Sequence, residues 1–196
     1  MFAQILLPLK MRFPKIIRHG KCALELAAVL LGLLTLAGCA SSGAVRNASP
    51  ILTNQPVSLD FIWVETSSSL GGSEGEQRSL KDSIITGLKV TGFFRSVSGS
   101  PPDVISDGWI KVRADIKEIQ TVSDKSRFWL GAFAGRARIV VQVRVTDLTS
   151  GHQLQTFEAE GESGKSAWAG TTEEAIQRAA EQVVAEIVEI RSRTSQ

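Results

Sequence analysis

Two stretches of the chain alternate apolar and polar residues with a period of two. Over residues 109–119, Ile110, Val112, Ala114 and Ile116 fall on one side and Lys111, Arg113, Asp115 and Lys117 on the other. Over residues 136–146, Ala137, Ile139, Val141, Val143 and Val145 oppose Arg138, Gln142, Arg144 and Thr146. That period predicts half-buried antiparallel strands. Ile119 breaks phase after Glu118, which predicts a bulge or a strand end. Asp147-Leu148-Thr149-Ser150-Gly151 is a hairpin turn, and residues 152–160 return as a weaker strand. Residues 58–65, SLDFIWVE, form a further strand. Leu59, Phe61 and Trp63 share one face, yet Ile62 and Val64 make the other face apolar too, so this strand is expected to be central or covered.

The period changes to that of a helix in two places. Leu80, Ile84 and Leu88 recur every four residues and predict a helix over residues 74–90, with a Ser73/Glu76 capping box at its start and Gly92 as its stop. SGSPPD, residues 98–103, is a loop. Ile176, Ala180, Val183, Ile187 and Ile190 alternate steps of four and three and predict a helix over residues 171–190, capped by Thr171 with Glu174. Glu173, Glu174, Glu181, Glu186 and Glu189 are expected on its solvated face, with pairs such as Glu174–Arg178. The order β-α-β-β-β-α predicts an α+β fold: a largely antiparallel four-stranded sheet with two helices packed on one face.

Upstream the pattern is neither strand nor helix of a folded domain. Residues 10–21 are basic, residues 26–37 are almost wholly apolar, and small residues follow. This is the order of a secretory signal, and the apolar run is shorter than the ~20 residues of a spanning helix. Met11, just before the basic cluster, is a second candidate start. Leu36-Ala37-Gly38-Cys39 resembles the lipobox of bacterial lipoproteins. The resemblance implies that the Cys39 thiolate takes a diacylglyceryl group, that small Ala37 and Gly38 fit a peptidase cleft, and that cleavage leaves Cys39 as the acylated first residue. Two or more acyl chains anchor stably, at ~0.8 kcal/mol per buried methylene. Ala40 in place of Asp implies the outer membrane, by the sorting rule of enterobacterial lipoproteins. The expected organisation is a signal peptide over residues 1–38, an acylated N-terminus and flexible tether over 39–57, and one periplasmic domain over 58–192. Residues 40–57 would reach ~60 Å fully extended.

Charge then changes meaning. The chain of 196 residues carries +2 overall, but its first 38 residues hold five of the 22 Lys/Arg and one of the 20 Asp/Glu. The remainder has 17 basic and 19 acidic residues, so a basic nucleic-acid-binding reading loses its support. Of two cysteines, only Cys39 survives cleavage, so no intramolecular disulfide is expected.

Several features together resemble a family. These are the lipobox, the helix ending in Leu88 with Gly92-Phe93-Phe94 and Val97 after it, and Arg127-Phe-Trp-Leu-Gly-Ala-Phe-Ala-Gly135 running into a Val-rich strand. The Val145–Gly151 turn and an Ala/Glu-rich last helix complete them. Over most of residues 55–192 the sequence resembles the bacterial lipoproteins of the domain-of-unknown-function 4410 family. The resemblance implies location and fold, since the family has no established activity. The Phe-x-x-Val after the first helix also resembles, in fold type, the periplasmic domain of the curli secretion lipoprotein. That implies an oligomeric secretion or transport subunit as an alternative, for which the chain has little room to build long membrane-crossing hairpins.

Catalytic patterns are sparse. His152 is the single His after residue 38, so no His pair is present for a metal, and no cofactor is expected. Gly161-Glu162-Ser163-Gly164-Lys165-Ser166 lacks the spacer of a phosphate loop and is read as a turn. Asn47-Ala48-Ser49 matches a glycosylation triplet by chance. Asp147 is expected to bond the turn backbone. A periplasmic hydrolase is the second alternative, and it requires Asp115, Asp147 or His152 to gather in a deep pocket. The leading expectation is a non-catalytic binding or assembly module of the cell envelope, held to the membrane by its acyl anchor. Phe128, Trp129, Leu130 and Phe133, placed around Gly131 where a polar loop is normal, either fold back over the sheet as core or form an exposed apolar lip, and in the second case they are its candidate surface for a protein partner.

Overall fold

The computed structural model describes residues 42–49, 58–121, 136–164 and 171–194. They form six strands and two helices. The strands are β1 (Ser42–Arg46), β2 (Phe61–Ser68), β3 (Ser96–Ser98), β4 (Trp109–Gln120), β5 (Arg138–Asp147) and β6 (Gln153–Glu162). The helices are α1 (Glu74–Thr91) and α2 (Thr172–Thr194). The strands lie in one sheet in the order β1-β6-β5-β4-β2-β3.

The α+β class with two helices is as expected, but the four-stranded, largely antiparallel sheet is corrected to a six-stranded mixed one. β2 runs parallel to both β3 and β4, while β4, β5, β6 and β1 pair antiparallel. A strand, a crossing helix and a returning strand must place the two strands parallel, and α1 makes that crossing. The predicted bulge is present, between Ile116 and Glu118.

The extra strands come from stretches with no period of their own. β3 is three residues of the chain leaving α1. β1 lies in the stretch expected to be a flexible tether. Ser42 pairs with Glu162 and Arg46 with Glu158, and Ser49 exchanges hydrogen bonds with Thr156 at 2.8 and 3.0 Å. The unpaired edge of β6 orders this segment by backbone pairing, which needs no hydrophobic pattern.

Inner-face side chains make the core. Ile62, Val64, Ile110, Val112, Ala114, Ile116, Ile139, Val141, Val143, Val145 and Phe157 are fully buried. Each large one contributes roughly 1.5–3 kcal/mol by leaving water. Leu80, Ile84 and Leu88 of α1 and all five residues of the predicted α2 stripe meet them. α1 packs on β2 and β3, α2 on β6, β5 and β1, and the helices pack on each other. The contact between α2 and β6 is unusually close because the facing residues are small: Ala159 and Gly161 on the strand, Ala175 and Ala179 on the helix.

The helix ends show what local signals decide. Gly92 takes the left-handed conformation (φ 69°) and stops α1, as predicted. Thr171 caps α2 by accepting the Glu174 N–H at 3.1 Å. The Ser73/Glu76 capping box does not form. Ser73 donates to the Leu70 carbonyl at 3.0 Å and accepts from Gln77 Nε2 at 3.3 Å, so its hydroxyl ties down the incoming turn. Glu186 is also corrected: it lies buried between α2 and β6, accepting from Gln155 Nε2 at 2.8 Å.

The registers give the sheet two distinct ends. Ser42, Ser68, Gln120, Arg138 and Glu162 lie toward one end, called the near end, and Phe61, Trp109, Asp147 and Gln153 toward the other, the far end. Both helices follow strands that run to the first end, so both begin there and run back.

Candidate interaction surface

With both helices on one face, the other face of the sheet is covered by no helix among the described residues. Alternation sets its content: every polar position that β4 and β5 showed in sequence points here, together with the outer residues of β1, β2 and β6. At the far end it is aromatic. The rings of Phe61 and Trp109 stack with centroids 5.2 Å apart and 22° between planes. Lys111 Nζ sits 4.1 Å from the centre of the Trp63 ring and 2.8 Å from Glu65. All five side chains are half-buried. β2 was expected to be central or covered, and it is an interior strand, flanked by β4 and β3. Its second apolar side is an aromatic patch on the open face.

Toward the middle the face becomes basic. Arg113, Asp115, Lys117, Gln142 and Arg144 line a shallow cavity of about 190 Å³. Asp115 accepts from Ser67 at 3.0 Å and pairs with Lys117. Burial pushes its carboxyl up, but hydrogen bonds from Lys117 and Ser67 and the charges of Lys117 and Arg113 outweigh this and hold it below its usual range. Arg113 and Arg144 stand directly opposite each other in the β4–β5 register. Like charges in that position destabilise a sheet, whereas two guanidiniums together suit an anionic group.

At the near end the charges are paired. Arg138 bonds Glu160 and lies 3.4 Å from Glu118, and Arg46 reaches Glu160 at 3.0 Å. Arg136 pairs with Glu162 at 2.9 Å. The Arg138 hydrogen bond is the main reason that the Glu160 carboxyl stays below its ordinary range; burial opposes it, and the charges of Arg138 and Arg46 assist.

The residues weighed for hydrolysis are not brought together. Asp115 faces outward opposite Gln142, five residues before Asp147 on β5, a separation of roughly 17 Å along the strand. Asp147 is held in the turn it was expected to build, accepting from the Thr149 N–H at 3.0 Å and the Ser150 hydroxyl at 2.5 Å. His152 is exposed beside it. Gly161 and Glu162 end β6 rather than forming a turn, and Ser163 prolongs the pairing by bonding Ala137. No cluster of three metal-ligating side chains is present among the described residues, and no described helix is long and apolar enough to cross a membrane.

Leu36, Ala37, Gly38 and Cys39 lie outside the described residues, as do Phe128, Trp129, Leu130 and Phe133. The aromatic patch of Phe61, Trp63 and Trp109 was not anticipated as a surface. Its one sequence signal is the apolar character of both faces of β2.

The family model of a domain of unknown function, DUF4410, matches residues 70–167. No curated protein matches the sequence. Among solved structures, a PelC dodecamer from Paraburkholderia phytofirmans is similar over 76% of this chain and 96% of that one, with 12% identity and a TM-score of 0.46. A DUF330 protein from Xanthomonas campestris is similar over 77% and 95%, with 14% identity and a TM-score of 0.47. At such scores nothing beyond the likeness itself passes to this chain.

Proposed function

The chain belongs to the family of the domain of unknown function DUF4410, and from that premise we propose that it is a non-catalytic binding or assembly module of the bacterial cell envelope. Cys39 carries the acyl anchor at the outer membrane, and the domain faces the periplasm. The observation that supports a binding role is the open sheet face. One side of the sheet is sealed by two helices, and the other presents an aromatic corner beside two opposed arginines, with no catalytic grouping among its described residues. A protein partner with an acidic, partly apolar surface fits it. The segment around Phe128, Trp129, Leu130 and Phe133 is a second candidate contact for the same partner.

The anchor is tested by Cys39→Ser, which should abolish acyl-chain labelling and move the protein out of the membrane fraction. Persistence in the membrane pellet overturns it. The binding role is tested by photocrosslinking in cells from Trp63, Arg144 and Leu130, with exposed Lys89 on α1 as the control. Capture of one shared envelope protein from the first three and not from Lys89 supports the role. Equal capture from all four positions refutes it.

A further inference from the structure

The N-terminal strand changes what an anchor at Cys39 means for the domain. β1 begins at Ser42, three residues after Cys39, and it is held along its length. Five backbone positions pair with β6, Arg46 and Asn47 bond Glu160 and Glu158, and Gly43 lies against Gln182 of α2. Three residue steps span at most ~11 Å, not the ~60 Å of an eighteen-residue tether. Ser42 is at the near end of the sheet. The geometry points to a fixed orientation in which the near end, where both helices begin and β4 passes into β5, rests against the lipid surface, and the far end points away from it. This rests on the acylation of Cys39.

The near-end arginines are already paired, Arg136 with Glu162 and Arg138 with Glu160, so the short reach from Cys39, and not charge, sets the orientation. The far end stands about 34 Å away along the ten residues of β5. Exposed Val90 and Val104 lie there.

The orientation is measurable because acylation leaves the mature chain without a free thiol, so one introduced Cys is the only labelling site. The processed, acylated protein carrying Gln120→Cys, Glu173→Cys, Val90→Cys or Val104→Cys, all at exposed positions, is labelled with a small fluorophore. It is then reconstituted into phosphatidylethanolamine/phosphatidylglycerol vesicles doped with a headgroup-nitroxide lipid. Quenching should be severalfold stronger at Gln120→Cys and Glu173→Cys than at Val90→Cys and Val104→Cys. Inserting about twenty Gly/Ser residues between Ser41 and Ser42, a coil of ~25 Å, should erase most of that difference. Equal quenching at the two ends in a chain that takes acyl label and floats with vesicles overturns the orientation and leaves the anchor standing. A chain that takes no label overturns both. Far-end quenching that exceeds near-end quenching also refutes the orientation.

Discussion

Replacing Gly161 by Ala should unfold much of the contact between α2 and β6. A Cβ added at Gly161 would lie 2.0 Å from the Ala175 carbonyl oxygen and 2.5 Å from the Ala179 nitrogen. Both are backbone atoms inside a helix, so no rotamer change relieves the overlap. The helix must move by more than 1 Å, and Ile176, Ala180 and Val183, all buried on its stripe, move with it. Overpacking in a close-fitted core costs about 1–3 kcal/mol and occasionally more. Here the rigid neighbours set the cost at about 3 kcal/mol or above. For a domain of this size that is a fall in Tm of roughly 6–12 °C. Thermal unfolding followed by near-ultraviolet circular dichroism measures it, with two other glycines as internal standards. A Cβ at Gly43 would meet only the flexible Gln182 side chain at 2.8 Å, and one at Gly75 meets nothing within 4 Å. Gly43→Ala should therefore cost little. Gly75→Ala, inside α1, should be neutral or stabilising by about 0.5–1 kcal/mol. If Gly161→Ala melts with the wild type, or if the three variants are indistinguishable, the close approach of α2 to β6 is wrong.

Two further outcomes follow from buried polar groups. Glu186→Ala strands the Gln155 amide in the core and should cost about 1–3 kcal/mol, whereas the double change Gln155→Leu/Glu186→Leu should recover part of that loss in denaturant titration; equal losses would show that the pair is not coupled. Glu160 and Asp115 both have carboxyls held below their ordinary values in the folded chain. Their contribution is complete above the unfolded value and is lost as pH falls through the folded one, so stability should climb with pH across that acid window. Glu160→Gln should flatten the climb, and an unchanged acid limb would remove Glu160 as a cause.

How much of this was legible in the sequence depended on where the ordering information lay. β4, β5 and both helices carry their burial in their own periodicity, and every apolar residue predicted for their inner faces is buried. Asp147 was legible because a turn aspartate bonds backbone two residues on, a local interaction. β1 was not legible, since SGAVR carries no alternation and becomes a strand only because β6 offers a free edge. Strand direction was hidden too: the alternation of β4 is the same whether its neighbour runs parallel or antiparallel. Glu186 was assigned to solvent because a carboxylate is usually exposed, and only the facing Gln155, 31 residues earlier, makes its burial tolerable. The open face was half legible. Its polar positions were plain, but the stacking of Phe61 on Trp109 joins residues brought side by side by a parallel register.

The pairing of Ser42 with Glu162 spans 120 residues. The strand nearest the N-terminus is therefore completed by one of the last strands to be made. Contacts at that separation form late, after the loop-closure entropy of the whole intervening chain has been met. A chain crossing a membrane from its N-terminus would hold β1 unpaired until β6 had emerged. The distance between residue 39 and the domain is thus set by sequence far downstream, and a truncation before β6 would lengthen the leash without touching the N-terminal segment.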